Sequence, residues 1–147
     1  PGDTMKKLMW LVVFALTACS PDVRRFVPPG GEAANTAHLI AESDPPRDFP
    51  RREDHYLLFE AVDGKPIRSK WVPQKWTAEI YVTSGMHTLD VVYAHAGLNA
   101  NARLQINAKA GATYFVHRKA DAYGVRVWIT EGAPGGPVVG RTLRDSD

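Results

Sequence analysis

Trp76-Thr-Ala-Glu-Ile-Tyr-Val82 and His87-Thr-Leu-Asp-Val-Val-Tyr93 decide the fold. In the first, Trp76, Ala78, Ile80 and Val82 share one face, and Thr77, Glu79 and Tyr81 share the other. In the second, Leu89, Val91 and Tyr93 oppose Thr88, Asp90 and Val92. A period of two is the side-chain period of a strand with one buried face. The pattern recurs downstream. Leu104, Ile106 and Ala108 oppose Arg103, Gln105 and Asn107, and Val125, Val127 and Ile129 oppose Arg126 and Trp128.

Two further strands alternate less well, over Tyr56 to Val62 and Thr113 to His117, and Val138-Val139 suits a short last one. Turn residues punctuate the series. Asp63-Gly64 fits a tight hairpin, because Gly tolerates positive φ. Ser84-Gly85, Gly97 to Asn101, Ala110-Gly111 and Tyr123-Gly124 separate the others, with Ser84 read as a hairpin residue. Glu131 to Pro137, rich in Gly and Pro, reads as a surface loop. The expected fold is all-β: a small antiparallel β-sandwich of about 6–8 strands over residues 55–147.

Upstream the character changes. Residues 19–54 hold six of the eleven prolines and the pair Gly30-Gly31. Such a stretch has too little apolar periodicity for a core and reads as a tether. Glu32 to Glu42 could interrupt it as a short helix, marginal alone at that length. Further upstream, Lys6-Lys7 precedes the apolar run Leu8 to Leu16, which is too short to span a bilayer at the ~20 residues a helix needs. Residues 1–18 read as a signal peptide, with Pro1 to Thr4 a vector-derived scar or upstream translation ahead of Met5.

Leu16-Thr17-Ala18-Cys19 closes this run and resembles the lipobox of bacterial lipoproteins. The resemblance implies cleavage before Cys19, diacylglycerol on its thiol, and a lipid-anchored mature protein. Ser20 after the cysteine resembles the residue choice of lipoproteins sorted to the outer membrane; that rule does not say which side the domain faces, and a periplasmic domain is the separate expectation. Cys19 is the only cysteine, so once acylated it leaves no thiol for disulfides, metal or nucleophilic catalysis. The mature part carries 16 Lys and Arg against 15 Asp and Glu, which gives no polybasic footprint for nucleic acid.

Phe59-Glu-Ala-Val-Asp-Gly64, Ser84-Gly-Met-His-Thr-Leu-Asp-Val91 and Ala110-Gly-Ala-Thr-Tyr-Phe-Val116 together resemble poorly characterised bacterial envelope lipoproteins. They are loosely similar to PEGA-like and carboxypeptidase-regulatory-like β-sandwich modules. The resemblance implies a sandwich and transfers no catalytic residue.

The chemistry-bearing residues point away from an enzyme. His38, His55, His87, His95 and His117 are scattered, without H-E-x-x-H or close pairing. His87 and His95 stand about 27 Å apart on an unbroken strand. No metal or other cofactor is expected, and each histidine is expected to be dispensable. His87 reads as a ring closing hydrogen bonds beside the Gly85 turn. Ser20, Ser43, Ser69, Ser84 and Ser146 lie in no nucleophile motif. The suggestive feature is aromatic. Tyr81 and Trp128 fall on the outward parity, with Arg126 beside Trp128, a combination that can anchor a protein partner or a glycan; the alternative is that a second sheet covers this face and Trp128 belongs to the core. The expectation is a non-enzymatic binding or scaffold module. The alternatives are an accessory subunit of an envelope-spanning secretion or pilus machine, and an inhibitor or immunity protein against a periplasmic enzyme.

Overall fold

The computed structural model describes residues 35–44, 53–67 and 78–143. Cys19, Trp71 and Trp76 lie outside them. The described residues form ten strands and no helix: β1 (Thr36–Ala41), β2 (Tyr56–Val62), β3 (Lys65–Pro66), β4 (Glu79–Thr83), β5 (Gly85–His95), β6 (Leu98–Ala108), β7 (Thr113–Asp121), β8 (Gly124–Glu131), β9 (Val138–Val139) and β10 (Arg141–Leu143). They make two five-stranded sheets in a sandwich-like arrangement. Sheet A runs β4-β1-β7-β8-β9 and sheet B runs β10-β6-β5-β2-β3. Ten strands exceed the six to eight expected, because three of them have only two or three residues.

The period of two does what it implies. Ile80, Val82, Leu89, Val91, Tyr93, Leu104, Ile106, Ala108, Val127 and Ile129 all enter one core cluster with Leu57, Phe59, Tyr114 and Val116. The imperfect alternation of β2 has a cause: a bulge between Phe59 and Ala61 shifts the register, so that Leu57, Phe59 and then Val62 point inward. Leu58 and Val92, paired on the opposite face of sheet B, are buried as well but stand apart from that cluster.

The largest departure is β1. The stretch expected to be tether or helix is a strand in the middle of sheet A. It pairs antiparallel with β4 and parallel with β7, so the sandwich is not wholly antiparallel. Ala37, Leu39 and Ala41 face the core. Alanine and glutamate favour helix in isolation, but the pairing on both sides and the burial of Leu39 override a propensity worth a few tenths of a kcal/mol per residue.

The turns divide into two kinds. Asp63-Gly64 and Ala96-Gly97 are two-residue hairpin loops with φ positive at both positions, at 51° and 72° and at 50° and 84°. The second loop is Ala96-Gly97 rather than Gly97 to Asn101, and Leu98 to Asn101 continue β6. Ser84 and Ala110-Gly111 are not hairpins. They carry the chain from one sheet to the other.

Candidate outer-face site

Sheet A turns its other face outward, and its register sets the residues in rows. His38 lies beside Tyr81 and Thr113, Ile40 beside Glu79 and Phe115, His117 beside Trp128, and Lys119 beside Arg126. Alternation forces these onto one face, because their neighbours Leu39, Ile80, Val116, Val127 and Ile129 face the core.

The three residues singled out by parity stand on this face. Trp128 and Tyr81 are half-buried and Arg126 is exposed. They do not form one cluster, since β1 and β7 separate β4 from β8, three strand spacings or roughly 14 Å. Two histidines fill the interval. His38 stacks on Tyr81 with centroids 4.4 Å apart and planes 4° from parallel, and its Nε2 donates to Glu79 Oε1 at 2.6 Å. His117 packs on Trp128 at 5.4 Å, and the Arg126 guanidinium lies 5.4 Å from the centre of the same indole. Trp128 is thus held by a cation and an imidazole.

Beside this row is a cleft of about 530 Å³, lined by Ile40, Glu42, Phe115, Val116, His117, Pro134 and Gly135. A smaller one of about 130 Å³ is bordered by Trp128, Val138, Gly140 and Arg141. The loop from Glu131 to Pro137 overhangs the larger cleft, and His117 holds that loop. Its Nε2 donates to Thr130 Oγ1 at 2.8 Å, and Thr130 Oγ1 donates to Ala133 O at 2.8 Å. Its Nδ1 lies 3.3 Å from Glu42 Oε2.

Carboxylate, imidazole and hydroxyl in line invite comparison with a nucleophilic triad. The geometry argues against it. Thr130 is 3 % exposed and does not line the cleft, and its hydroxyl proton is committed to Ala133 O. The line acts as a clamp on the loop.

The histidines are not unpaired, which corrects the reading of them as scattered. Besides His38 and His117, the rings of His55 and His95 stack at 3.8 Å. His87, on the inward face, makes the hydrogen bonds expected of it, from Nε2 to Thr83 O at 2.8 Å, and adds Nδ1 to Asp63 Oδ2 at 2.7 Å. Burial pushes the Asp63 carboxyl up, but the Thr88 N–H, His87 and Lys65 outweigh it and leave the carboxyl below its ordinary value. Among the described residues no three His, Cys, Asp or Glu side chains gather as a metal would need. His38, Glu42 and His117 were missed as members of the face because two of them lie in or next to β1, and only the pairing of β1 with β4 and β7 brings them there. Compared with family models, curated proteins and solved structures, the chain matches none of them.

Proposed function

We propose that the chain is an outer-membrane lipoprotein, anchored through acylated Cys19, whose domain is a non-enzymatic binding module in the periplasm. In this reading it belongs with the small envelope lipoproteins of PEGA-like or carboxypeptidase-regulatory-like type, and uses neither metal nor cofactor. The anchor rests on the Leu16-Thr17-Ala18-Cys19 motif. The binding role rests on one observation: Trp128 stands on the outward face of sheet A, held between His117 and Arg126 beside a cleft. Aromatic and Arg side chains of this kind carry the largest share of binding energy at protein interfaces.

The test is site-specific photocrosslinking in membranes, with Trp128→Ala as comparator. Loss of ~2 kcal/mol or more of partner affinity with a nearly unchanged melting temperature is the expected result. Unchanged capture, or a stability loss of about 3–5 kcal/mol, goes against it. Capture of an assembly of machine proteins would redirect the reading to an accessory subunit, and capture of a single hydrolase to an inhibitor or immunity protein. Cys19→Ala tests the anchor separately, since normal acyl labelling of that variant would remove it.

A further inference from the structure

One end of the sandwich carries a polar cluster that the binding face does not use. Arg118 follows Val116 on the inward side of β7, so its side chain enters the space between the sheets. Its guanidinium lies 5.6 Å from the centre of the Tyr93 ring and reaches Asp44 at 3.7 Å. The Tyr93 hydroxyl meets His55 Nδ1 at 2.6 Å. The His55 ring lies flat on that of His95, with centroids 3.8 Å apart and planes 1° from parallel. Asp54, buried, accepts from the Tyr56 hydroxyl at 3.0 Å. The groups that face one another are therefore Asp44 after β1, Asp54 and His55 before β2, Tyr56 in β2, Tyr93 and His95 in β5, and Arg118 in β7. Two buried nitrogens, His95 Nδ1 and Arg118 Nε, have no hydrogen-bond partner among the described residues.

The same residues tie the end of β1 in sheet A to the start of β2 in sheet B. The Asp44 N–H donates to His55 O at 2.9 Å, and the His55 N–H donates back to the Asp44 carboxylate. Ser43 Oγ donates to Leu57 O at 2.9 Å and accepts the Leu57 N–H at 3.0 Å. The stacked rings are not a metal site. A metal ion lies in the plane of the imidazole that binds it, and two parallel planes 3.8 Å apart share no such point.

We propose that His55, stacked on His95, is a pH-operated latch: neutral, its ring holds the Asp44–His55 and Ser43–Leu57 hydrogen bonds on the end of the sandwich, and protonated, it releases them. The stack sets the His55 ring face to face with His95 and near Arg118, so a proton added to His55 meets a fixed cation beside a ring that gives it no acceptor. Asp44 and Asp54 offset part of this, but each already has a partner in Arg118 or Tyr56. Burial, Arg118 and His95 together hold the His55 imidazole below its ordinary value of 6.5, against the opposite pull of Asp44 and Asp54. The unfolded or opened chain takes up the proton first. The latch therefore contributes in full above about pH 6.5 and is lost as pH falls toward the lowered folded value. Glu42, two residues from Asp44, lines the outer-face cleft, so release would also reshape that cleft. This consequence rests on the binding reading, while the latch itself does not.

Amide exchange on the full chain tests it. Protection factors of the Asp44, His55 and Leu57 amides are compared at pH ~7.5 and ~5 with those of the Leu104 and Ile129 amides. Protection of the Asp44, His55 and Leu57 amides should fall several-fold, while the two core amides keep theirs. His55→Gln and His95→Gln should each flatten the response. Equal protection at both pH values, a matching loss in the core, or an undiminished response in the two variants would overturn the proposal. If a variant does not fold, the imidazole titration of the unmodified chain decides. His55 titrating at or above its ordinary value overturns the latch, whatever the outcome for partner capture.

Discussion

His87 is 8 % exposed and offers both ring nitrogens to acceptors, Thr83 O and the Asp63 carboxylate. The two contacts fix the ring between the end of β4 and the β2–β3 hairpin. Its inward parity and its place beside the Gly85 turn were legible in the sequence. The Asp63 partner was not, because it comes from the β2–β3 hairpin 24 residues away and only folding brings it there. These contacts predict that His87, against the expectation for single histidines, matters for stability. His87→Ala should cost ~1–3 kcal/mol in urea unfolding, chiefly by leaving the Thr83 carbonyl without its donor, since Asp63 is half exposed and solvent screens its share. The variant also changes the acid limb. Asp63 titrates below its ordinary 3.8 in the folded chain, so its contribution is present above that value and disappears as pH falls through the lowered one. Without His87 the carboxyl moves back up, and stability below its ordinary 3.8 should fall less steeply. Identical acid limbs in variant and parent would show that His87 does not hold Asp63 down.

At the scale of elements, the strands legible in advance are those whose inward residues are large. β4, β5, β6 and β8 each carry at least two of Leu, Ile, Val or Tyr on the core face. β1 was illegible because two of its three inward residues are alanines, which signal helix as readily as strand. The sheet-to-sheet crossovers at Ser84 and Ala110-Gly111 were also hidden, since a turn residue does not say whether the next strand pairs with the last. The chain also changes sheet at the β9–β10 corner. There Gly140 has φ of 73°, and a Cβ on it would stand 2.6 Å from Gln105 O of β6. Both the left-handed backbone and the backbone contact exclude a side chain. Gly140→Ala should destabilise by roughly 2–5 kcal/mol, the sum of ordinary costs for a left-handed L residue and for overpacking. Thermal unfolding with Gly135→Ala as control, where a Cβ meets nothing within 4 Å, separates this from general loop effects; equal melting temperatures would refute it.

For the whole molecule, the question is where the folded unit begins. Composition put the boundary at residue 54, because prolines cluster on both sides of residues 36–41 and draw the short strand into their own reading. The outer face was legible only in part for the same reason. Trp128, Arg126 and Tyr81 follow from parity in β8 and β4, but β1 is what joins those strands through β7 and supplies His38 and Ile40 between them. A chain that starts at His55 should therefore fail to fold, whereas one that starts at Asn35 should keep the sandwich. Removing β1 leaves the facing edges of β4 and β7 without their partner over nine register positions and takes Ala37, Leu39 and Ala41 from the core. The burial of Leu39 by itself is worth about 1.5–3 kcal/mol. The lost ladders and the cavity between β4 and β7 add to that, against a total stability that for such a domain is only about 5–15 kcal/mol. Circular dichroism and amide dispersion of the two chains decide the matter. A cooperative melt and native-like dispersion from the chain starting at His55 would mean that β1 docks on a sandwich complete without it, and the boundary at residue 54 would stand.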